Sequence, residues 1–335
     1  MKKLQYVYNE VKKIISPIYA VGGCVRDELL GKEPKDYDFS CAYLPEEIEK
    51  AIKNSGRKAY LTGKRFGVIG CKIDNSIVEL ASFRTEKYRE GSRKPDVIFV
   101  NNLEADLSRR DFTINAMAMD DETLHDPFCG EQDLTAKVIR CVGKPSERFK
   151  EDPLRMLRAG RFASQLGFNI EEVTFDMCSQ LNYKILEISK ERWGMELDKI
   201  LLSDNPTIGL DFLMHTRLMN FMLPEIALQL DYDQTNPHHS LTLWEHTKQV
   251  IEATPKDIEL RWSALLHDIG KPFVRRLKKE GHCNYHKHDM LGKEMVLKLA
   301  TYLRWSNTRK ENVAHLVFKH MTDDSPLKEA DRGAK

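Results

Sequence analysis

Residues 20–39 read AVGGCVRDELLGKEPKDYDF, and the reading of this stretch decides the first part of the fold. Asp36 and Asp38 stand two residues apart, a spacing that on a β-strand puts both carboxylates on the same face. Hard oxygen ligands so placed suit Mg²⁺, which takes one or two carboxylates and completes its shell with substrate phosphates and water. Two such ions can activate an attacking hydroxyl and steady a leaving pyrophosphate. Upstream, Gly22 and Gly23 let the backbone approach a phosphate, a helix starting near Cys24 offers free amide donors, and Arg26 can hold a phosphate oxygen pair. A third carboxylate is expected to bind a metal or take a proton. Glu79, in the apolar run IVELASF, is the candidate; the alternative is an exposed strand-edge glutamate.

Outward from this stretch, apolar segments up to about residue 140 are short and β-branched, as in VIGCKI, IVELASF, DVIFV and KVIRCV. From Pro153 onward the periodicity turns helical, with no convincing strand. The expected fold class is α+β: a head with a small mixed sheet over 1–140, an all-α neck and body over 141–230, and a helical third unit over 231–335. No uncharged apolar run is long enough to span a bilayer, and MKKLQYVYNEVKK lacks the apolar core of a signal peptide, so a cytoplasmic protein is expected. The 7 cysteines are scattered and odd in number, which predicts reduced, mostly buried thiols. With 52 basic and 51 acidic residues, bulk charge gives no vote for nucleic acid. A polyanion site must be local, at Arg109 and Arg110 or at Arg155, Arg158 and Arg161; Arg275, Arg276, Lys278 and Lys279 read as a solvated face.

Several longer motifs follow in order: GGxxRD at 22–27, DYD at 36–38, SFRTE at 82–86, RRDFTINAMAMD at 109–120, DPFCGEQDL at 126–134 and RFKEDPLRMLRAGRFA at 148–163. Together they resemble the class II tRNA nucleotidyltransferase and bacterial poly(A) polymerase family over roughly the first 200 residues. The resemblance implies a polymerase-β-like head. It also implies that Arg110, Asp111 and Asn115, a cation, an acceptor and an amide, hold the triphosphate and ribose of an incoming nucleotide. For Arg109, a structural ion pair with an aspartate stays open. In EDPLR, Asp152 accepts and Arg155 donates one helical turn later, with Arg158 beyond. C and A both present an exocyclic amine beside an unprotonated ring nitrogen, whereas G and U reverse the pattern, so this pair would take C and A. The alternative is that Asp152 and Pro153 are a helix N-cap and first helical residue. Arg192 and Glu196 are expected to form a supporting i, i+4 pair. The polar stretch FRTEKYREGSRKPD resembles the family's flexible loop for switching from C to A addition, with Glu90 and Arg93 loosely matching its charged pair.

The last third is rich in histidine. His246, His267 and Asp268 have the order of an HD-type phosphohydrolase domain, and His286, His288, Asp289 and His320 are further ligand candidates for Mn²⁺, Ni²⁺, Zn²⁺ or Mg²⁺. A neighbouring His and Asp within a helix cannot share a face, so the pair requires a turn. The alternative is a vestigial fold that keeps its histidines without turnover. In related enzymes with such a domain, the implied role is hydrolysis of cyclic phosphates and repair of tRNA ends.

The expected function is template-independent addition of CCA to the tRNA 3′ end from CTP and ATP, with two Mg²⁺ ions in the head, tRNA as partner, and no membrane or obligate protein partner. Poly(A) polymerase, a CC- or A-adding enzyme, and an HD-type phosphohydrolase acting on RNA ends or nucleotides are the competing readings. The end at DDSPLKEADRGAK comes sooner than expected for a relative with a full tRNA-gripping tail.

Overall fold

A computed structural model describes residues 3–89, 92–121, 123–235 and 241–334. The chain forms two compact units, Met1–Asp152 and Pro153–Lys335. The expected segments 141–230 and 231–335 fall mostly within the second.

In the first unit the strands are β1 (Tyr19–Val21), β2 (Tyr37–Cys41), β3 (Val68–Ile73), β4 (Ser76–Ser82), β5 (Arg84–Arg89), β6 (Ser92–Phe99), β7 (Ala118–Asp120) and β8 (Thr123–His125). Six of them make one mixed sheet in the order β3-β4-β2-β1-β7-β8. β2 and β4 run parallel, and the remaining neighbours are antiparallel. Alternation explains the strands: in β4, Val78 and Leu80 are buried while Ile77 and Glu79 point out. The helices Lys3–Lys12 and Pro45–Asn54 bury Leu4, Val7, Val11, Ile48 and Ile52, and both pack on β3. The opposite, exposed face of β4 is left for chemistry.

Two sequence expectations change here. The polar stretch after Ser82 is an antiparallel ribbon, β5 with β6, in the register Arg84↔Phe99 and Glu86↔Val97. Thr85, Val97, Ile98 and Phe99 are strand formers, and their propensity outweighs the polar residues around the turn. Glu90 and the side chain of Arg93 lie outside the described residues. KVIRCV supplies only the two-residue strand Val138–Ile139.

The second unit is helical, as expected from Pro153, apart from the two-residue strands Asn169–Ile170, Arg276–Leu277 and Cys283–Asn284. Helix Leu154–Leu166 buries an apolar stripe of Leu154, Met156, Leu157, Ala159 and Ala163. Buried anchors join the middle helices to the last ones. Trp262 Nε1 and the Arg309 guanidinium donate to Asp198, while Trp244 Nε1 and Lys248 Nζ donate to Asp211. No helix among the described residues is long and apolar enough to cross a membrane. All 7 cysteines are free thiols, and only Cys129 is exposed.

Candidate functional site

Asp36 lies just before β2 rather than on it, and Asp38 is the second residue of that strand. The parallel register sets Asp38 directly beside Glu79 of β4, on the open face of the sheet. The register thus brings Asp38 and Glu79 together, while Asp36, outside the strand, does not share the strand face expected from its spacing. Asp38 is pushed up to about 6, first by burial and then by the negative charge of Glu79, with Arg110 opposing and Asp36 adding to the rise. A divalent cation would relieve that repulsion, and the all-oxygen donor set fits Mg²⁺. The three carboxylates are not gathered to full ligand spacing. Among the described residues, the trios of ligand atoms lying within 4.8 Å of one another both belong to the second unit. An ion here must draw its remaining ligands from water and substrate.

Beside the carboxylates lies a polar network. Arg26 starts it from helix Gly23–Leu29, donating from Nη1 to Asn115 Oδ1 (2.7 Å) and from Nε to Asp27 (2.9 Å). Asn115 Nδ2 donates to Asp111 Oδ1 (3.3 Å), which also accepts from the Phe112 amide. Arg110 Nη1 reaches the Asn115 carbonyl at 3.4 Å, and its buried Nε has no hydrogen-bond partner. The four residues picked out from two distant motifs therefore meet. Gly22 is what lets them do so. Its φ is +74°, and a Cβ there would sit 2.7 Å from Arg110 Nη1. Gly23, whose nearest neighbour to an added Cβ is 3.7 Å away, is under no such constraint.

Asp106 was not singled out from the sequence, although its i, i+3 and i, i+4 spacing to Arg109 and Arg110 is legible. It is fully buried and pairs with Arg109 at 2.6 Å and Arg110 at 3.4 Å. Burial alone would raise it; Arg109 and Arg110 hold it below the usual carboxylate range. The Asp106 contact is the aspartate ion pair considered for Arg109, which also pairs with Glu86 at 3.0 Å. DPFCGEQDL proves to be a brace. Both Asp126 oxygens accept amides at the start of helix Gly130–Ala136, and Asp133 accepts from Thr113 Oγ1 at 2.6 Å. A Cβ on Gly130 would lie 2.3 Å from the Thr113 carbonyl, so this glycine lets the helix press against the 3-10 turn Thr113–Asn115.

Asp152 closes helix Pro145–Glu151 in an extended conformation and ends the first unit. Arg155 is buried in helix Leu154–Leu166, and Arg158 lies 5.5 Å from the Phe162 ring centroid. Glu196 meets Arg161 at 3.1 Å in addition to lying one turn from Arg192.

In the second unit His246, His267, Asp268, His288 and His320 converge, all of them buried. His267 follows the last residue of helix Ile258–Leu266, so the HD pair sits in the turn that its adjacency required. Each imidazole is tethered from behind: Nδ1 faces the carbonyl of Ala334, Ala264, Tyr285 and Val317 at 2.8, 2.8, 2.8 and 2.6 Å respectively. A carbonyl only accepts, so Nδ1 carries a proton in each ring and Nε2 is the atom turned inward; against its burial, the carboxylates of Asp268 and Asp331 push His246 up to about 9. His246 and His267 face each other Nε2 to Nε2 at 3.0 Å, and His288 and His320 at 3.1 Å. Asp268 lies between the couples. It is held well below the usual range against complete burial, chiefly by His267 and Lys271. Both of its oxygens are buried and accept no well-formed hydrogen bond. His286 is exposed and takes no part in the cluster; it lines the cleft of about 830 Å³ beside it, as does Asp289. Sequence reasoning missed Asp331, whose Oδ1 lies 3.1 Å from His246 Nε2. No local spacing marks it.

Three family models match in order. The poly A polymerase head domain covers residues 18–140, the probable RNA and SrmB-binding site of polymerase A covers 167–230, and the HD domain covers 237–334. This chain belongs to the class II tRNA nucleotidyltransferase and bacterial poly(A) polymerase family. Among relatives in that family, the CCA-adding enzyme of Pediococcus pentosaceus is 39% identical over 249 residues, covering 72% of this chain and 62% of that protein. The CCA-adding enzyme of Enterococcus faecalis is 42% identical over 220 residues, 62% of this chain and 53% of that one. The chain thus spans between about half and two thirds of these curated relatives. The crystal structure of the Bacillus stearothermophilus CCA-adding enzyme in complex with CTP matches all of this chain and 82% of that one, at 26% identity and a TM-score of 0.67. A tRNA nucleotidyltransferase complexed with a primer tRNA and an incoming ATP analog matches 97% of this chain at 26% identity, with a TM-score of 0.63. Nucleotidyltransferases of this family use divalent metal ions, generally Mg²⁺.

Proposed function

We propose that this chain transfers CMP and AMP from CTP and ATP to the 3′ end of tRNA without a nucleic-acid template, in the cytoplasm. The observation that carries this reading is the Asp38–Glu79 register of β2 and β4, set beside the network of Arg26, Arg110, Asp111 and Asn115. Asp36 and Asp38 hold the ions, and Glu79 takes the proton of the primer 3′-hydroxyl. Two Mg²⁺ ions, when bound, lower the charge on the attacked phosphate and on the departing pyrophosphate. Gly22 and Gly23 let the triphosphate approach the backbone, and Arg26 and Arg110 receive its charge. Asp111 and Asn115 bind the ribose hydroxyls. Asp152, Arg155 and Arg158 read the pairing edge of C or A, so protein side chains stand in for a template.

The test is extension of tRNA transcripts lacking three, two or one 3′-terminal nucleotide, with each labelled nucleotide in turn. Completion of CCA and no further addition is expected. A long A tail would replace the reading with poly(A) polymerase, and C-only or A-only addition with a partial enzyme.

A second activity is favoured by the buried histidine cluster and its cleft, which is lined by Lys271, Lys287, Lys328 and Arg332. We infer a metal-dependent hydrolysis of phosphoesters such as a cyclic phosphate at an RNA end, with the metal held by His246, His267, Asp268, His288 and His320.

A further inference from the structure

On the reading of the head as an enzyme that extends RNA, we propose that the open face of β3 beside Glu79 seats the terminal nucleotide of the primer. Gly70 is the floor of that seat, and Tyr60 stacks on the primer's last base.

The strand register lines up one row across the sheet. Asp38 stands beside Glu79 in the parallel pair of β2 and β4, and Glu79 stands opposite Gly70 in the antiparallel pair of β4 and β3. Gly70 in turn faces Tyr60 through an isolated antiparallel bridge. The Tyr60 amide donates to the Gly70 carbonyl at 2.8 Å, and the Gly70 amide donates back at 2.9 Å. Residues directly opposed in a sheet send their side chains to the same face. Tyr60 obeys this: a Cβ built on Gly70 would meet its Cβ at 3.3 Å and its Cδ2 at 3.7 Å. The open face therefore carries Asp38 and Glu79, then bare backbone at Gly70, then an aromatic ring. With strands ~4.8 Å apart, Glu79 and Tyr60 stand roughly 10 Å apart, room for one nucleoside laid across the glycine.

The direction of attack selects this side of the row. In-line displacement puts the attacking hydroxyl opposite the departing pyrophosphate. The groups assigned to the triphosphate, Gly22, Arg26 and Arg110, gather at the end of β1 and the helix Gly23–Leu29 that follows it. The sheet order β3-β4-β2-β1 places Gly70 and Tyr60 across the carboxylates from them. A 3′-hydroxyl approaching from the β3 side reaches Glu79 with its own nucleotide lying over Gly70.

The surroundings suit a single-stranded RNA end. Tyr60 is 41% exposed, and Lys58 Nζ lies 5.5 Å from its ring centroid. Lys72, exposed and two residues beyond Gly70 on β3, stands opposite exposed Ile77 on the same face. A ring between two lysines offers a base a stacking surface and the phosphates behind it a counter-charge, without selecting one base over another.

The experiment measures extension of a tRNA transcript lacking its last nucleotide by the full chain, varying RNA at saturating ATP and then ATP at saturating RNA. Tyr60→Ala should raise KM for the RNA about 10- to 100-fold, the effect of one lost base–aromatic stack, and move KM for ATP far less. Tyr60→Phe keeps the ring and should recover most of that loss. A primer with an abasic terminal nucleotide should bring wild type and Tyr60→Ala to the same KM, because nothing is left to stack. Equal KM for the intact RNA in wild type and Tyr60→Ala overturns the seat. A rise in KM for ATP instead gives Tyr60 to the incoming nucleotide, and a difference that persists on the abasic primer makes its role structural; both overturn the proposal. A wild-type chain that extends no RNA end overturns the reading of the head itself.

Discussion

On the proposed reading, the head and the histidine cluster both hold cations near phosphate, with opposite constructions. In the head, Asp36 and Glu79 are exposed and Asp38 half-buried, and the carboxylates stay apart until something joins them. In the cluster, four imidazoles and a carboxylate are buried and each ring is fixed by a backbone carbonyl. The contrast teaches that, on this reading, one site would be completed by its substrate and the other by the fold. Ions that arrive with a nucleotide need only a few anchoring oxygens, because phosphate and water supply the rest. Ions held for many turnovers need ligands oriented before they bind.

The sharpest way to break this contrast is the double variant Asp36→Ala, Asp38→Ala. It should lower the rate of nucleotide addition by on the order of 10³-fold or more, the equivalent of several kcal/mol of metal-derived charge stabilisation. Addition within tenfold of wild type, followed with labelled CTP, would sink the assignment of the head.

Next in size is Asp106→Asn. Breaking a buried ion pair from one side takes the carboxylate from Arg110 and leaves Arg109 with Glu86, and about 3 kcal/mol of stability should go. Because Asp106 is held below its ordinary value, its contribution is present above about pH 4 and is lost as pH falls toward the folded value. Urea titrations across pH should therefore show a shallower acid limb in the variant. Asp268 in the histidine cluster is held low in the same sense, so the acid limb is shared between the two sites. An identical acid limb in the variant and wild type would remove Asp106 from it.

The smallest effect is expected from Gly130→Ala. Its added methyl meets the Thr113 carbonyl, and the overpacking should cost roughly 1–3 kcal/mol. Since the displaced turn carries Asn115, KM for CTP and ATP should rise more than kcat falls. A variant with unchanged KM would mean that the brace does not reach the nucleotide.

Period-two alternation made β3 and β4 readable, and Asp38 meets Glu79 because their strands pair in a regular register, whereas Asp36, one residue before β2, falls outside that pattern. The HD turn was readable from the steric demand of two adjacent ligands. Asp331 was not, because an isolated acid joins His246 only through tertiary packing. His286 was included wrongly for the converse reason: proximity in sequence to His288 says nothing about which side of a turn a ring faces. Of the ribbon, β6 was legible in DVIFV, while β5 was hidden by its composition, since Arg84, Glu86, Lys87 and Arg89 leave it without an apolar alternation. The role of DPFCGEQDL was hidden because a close backbone approach leaves only a glycine as its trace.

Gly22 carries a further consequence, for how this sequence can change over time. Two independent restrictions act on the position: a backbone at φ +74° and ψ −128°, where side chains are disfavoured, and the Arg110 guanidinium in the space a Cβ would fill. Shortening Arg110 would lift the second and leave the first. No single compensating replacement reopens the site, so lineages that keep the chemistry are expected to keep the glycine even as the surrounding residues drift.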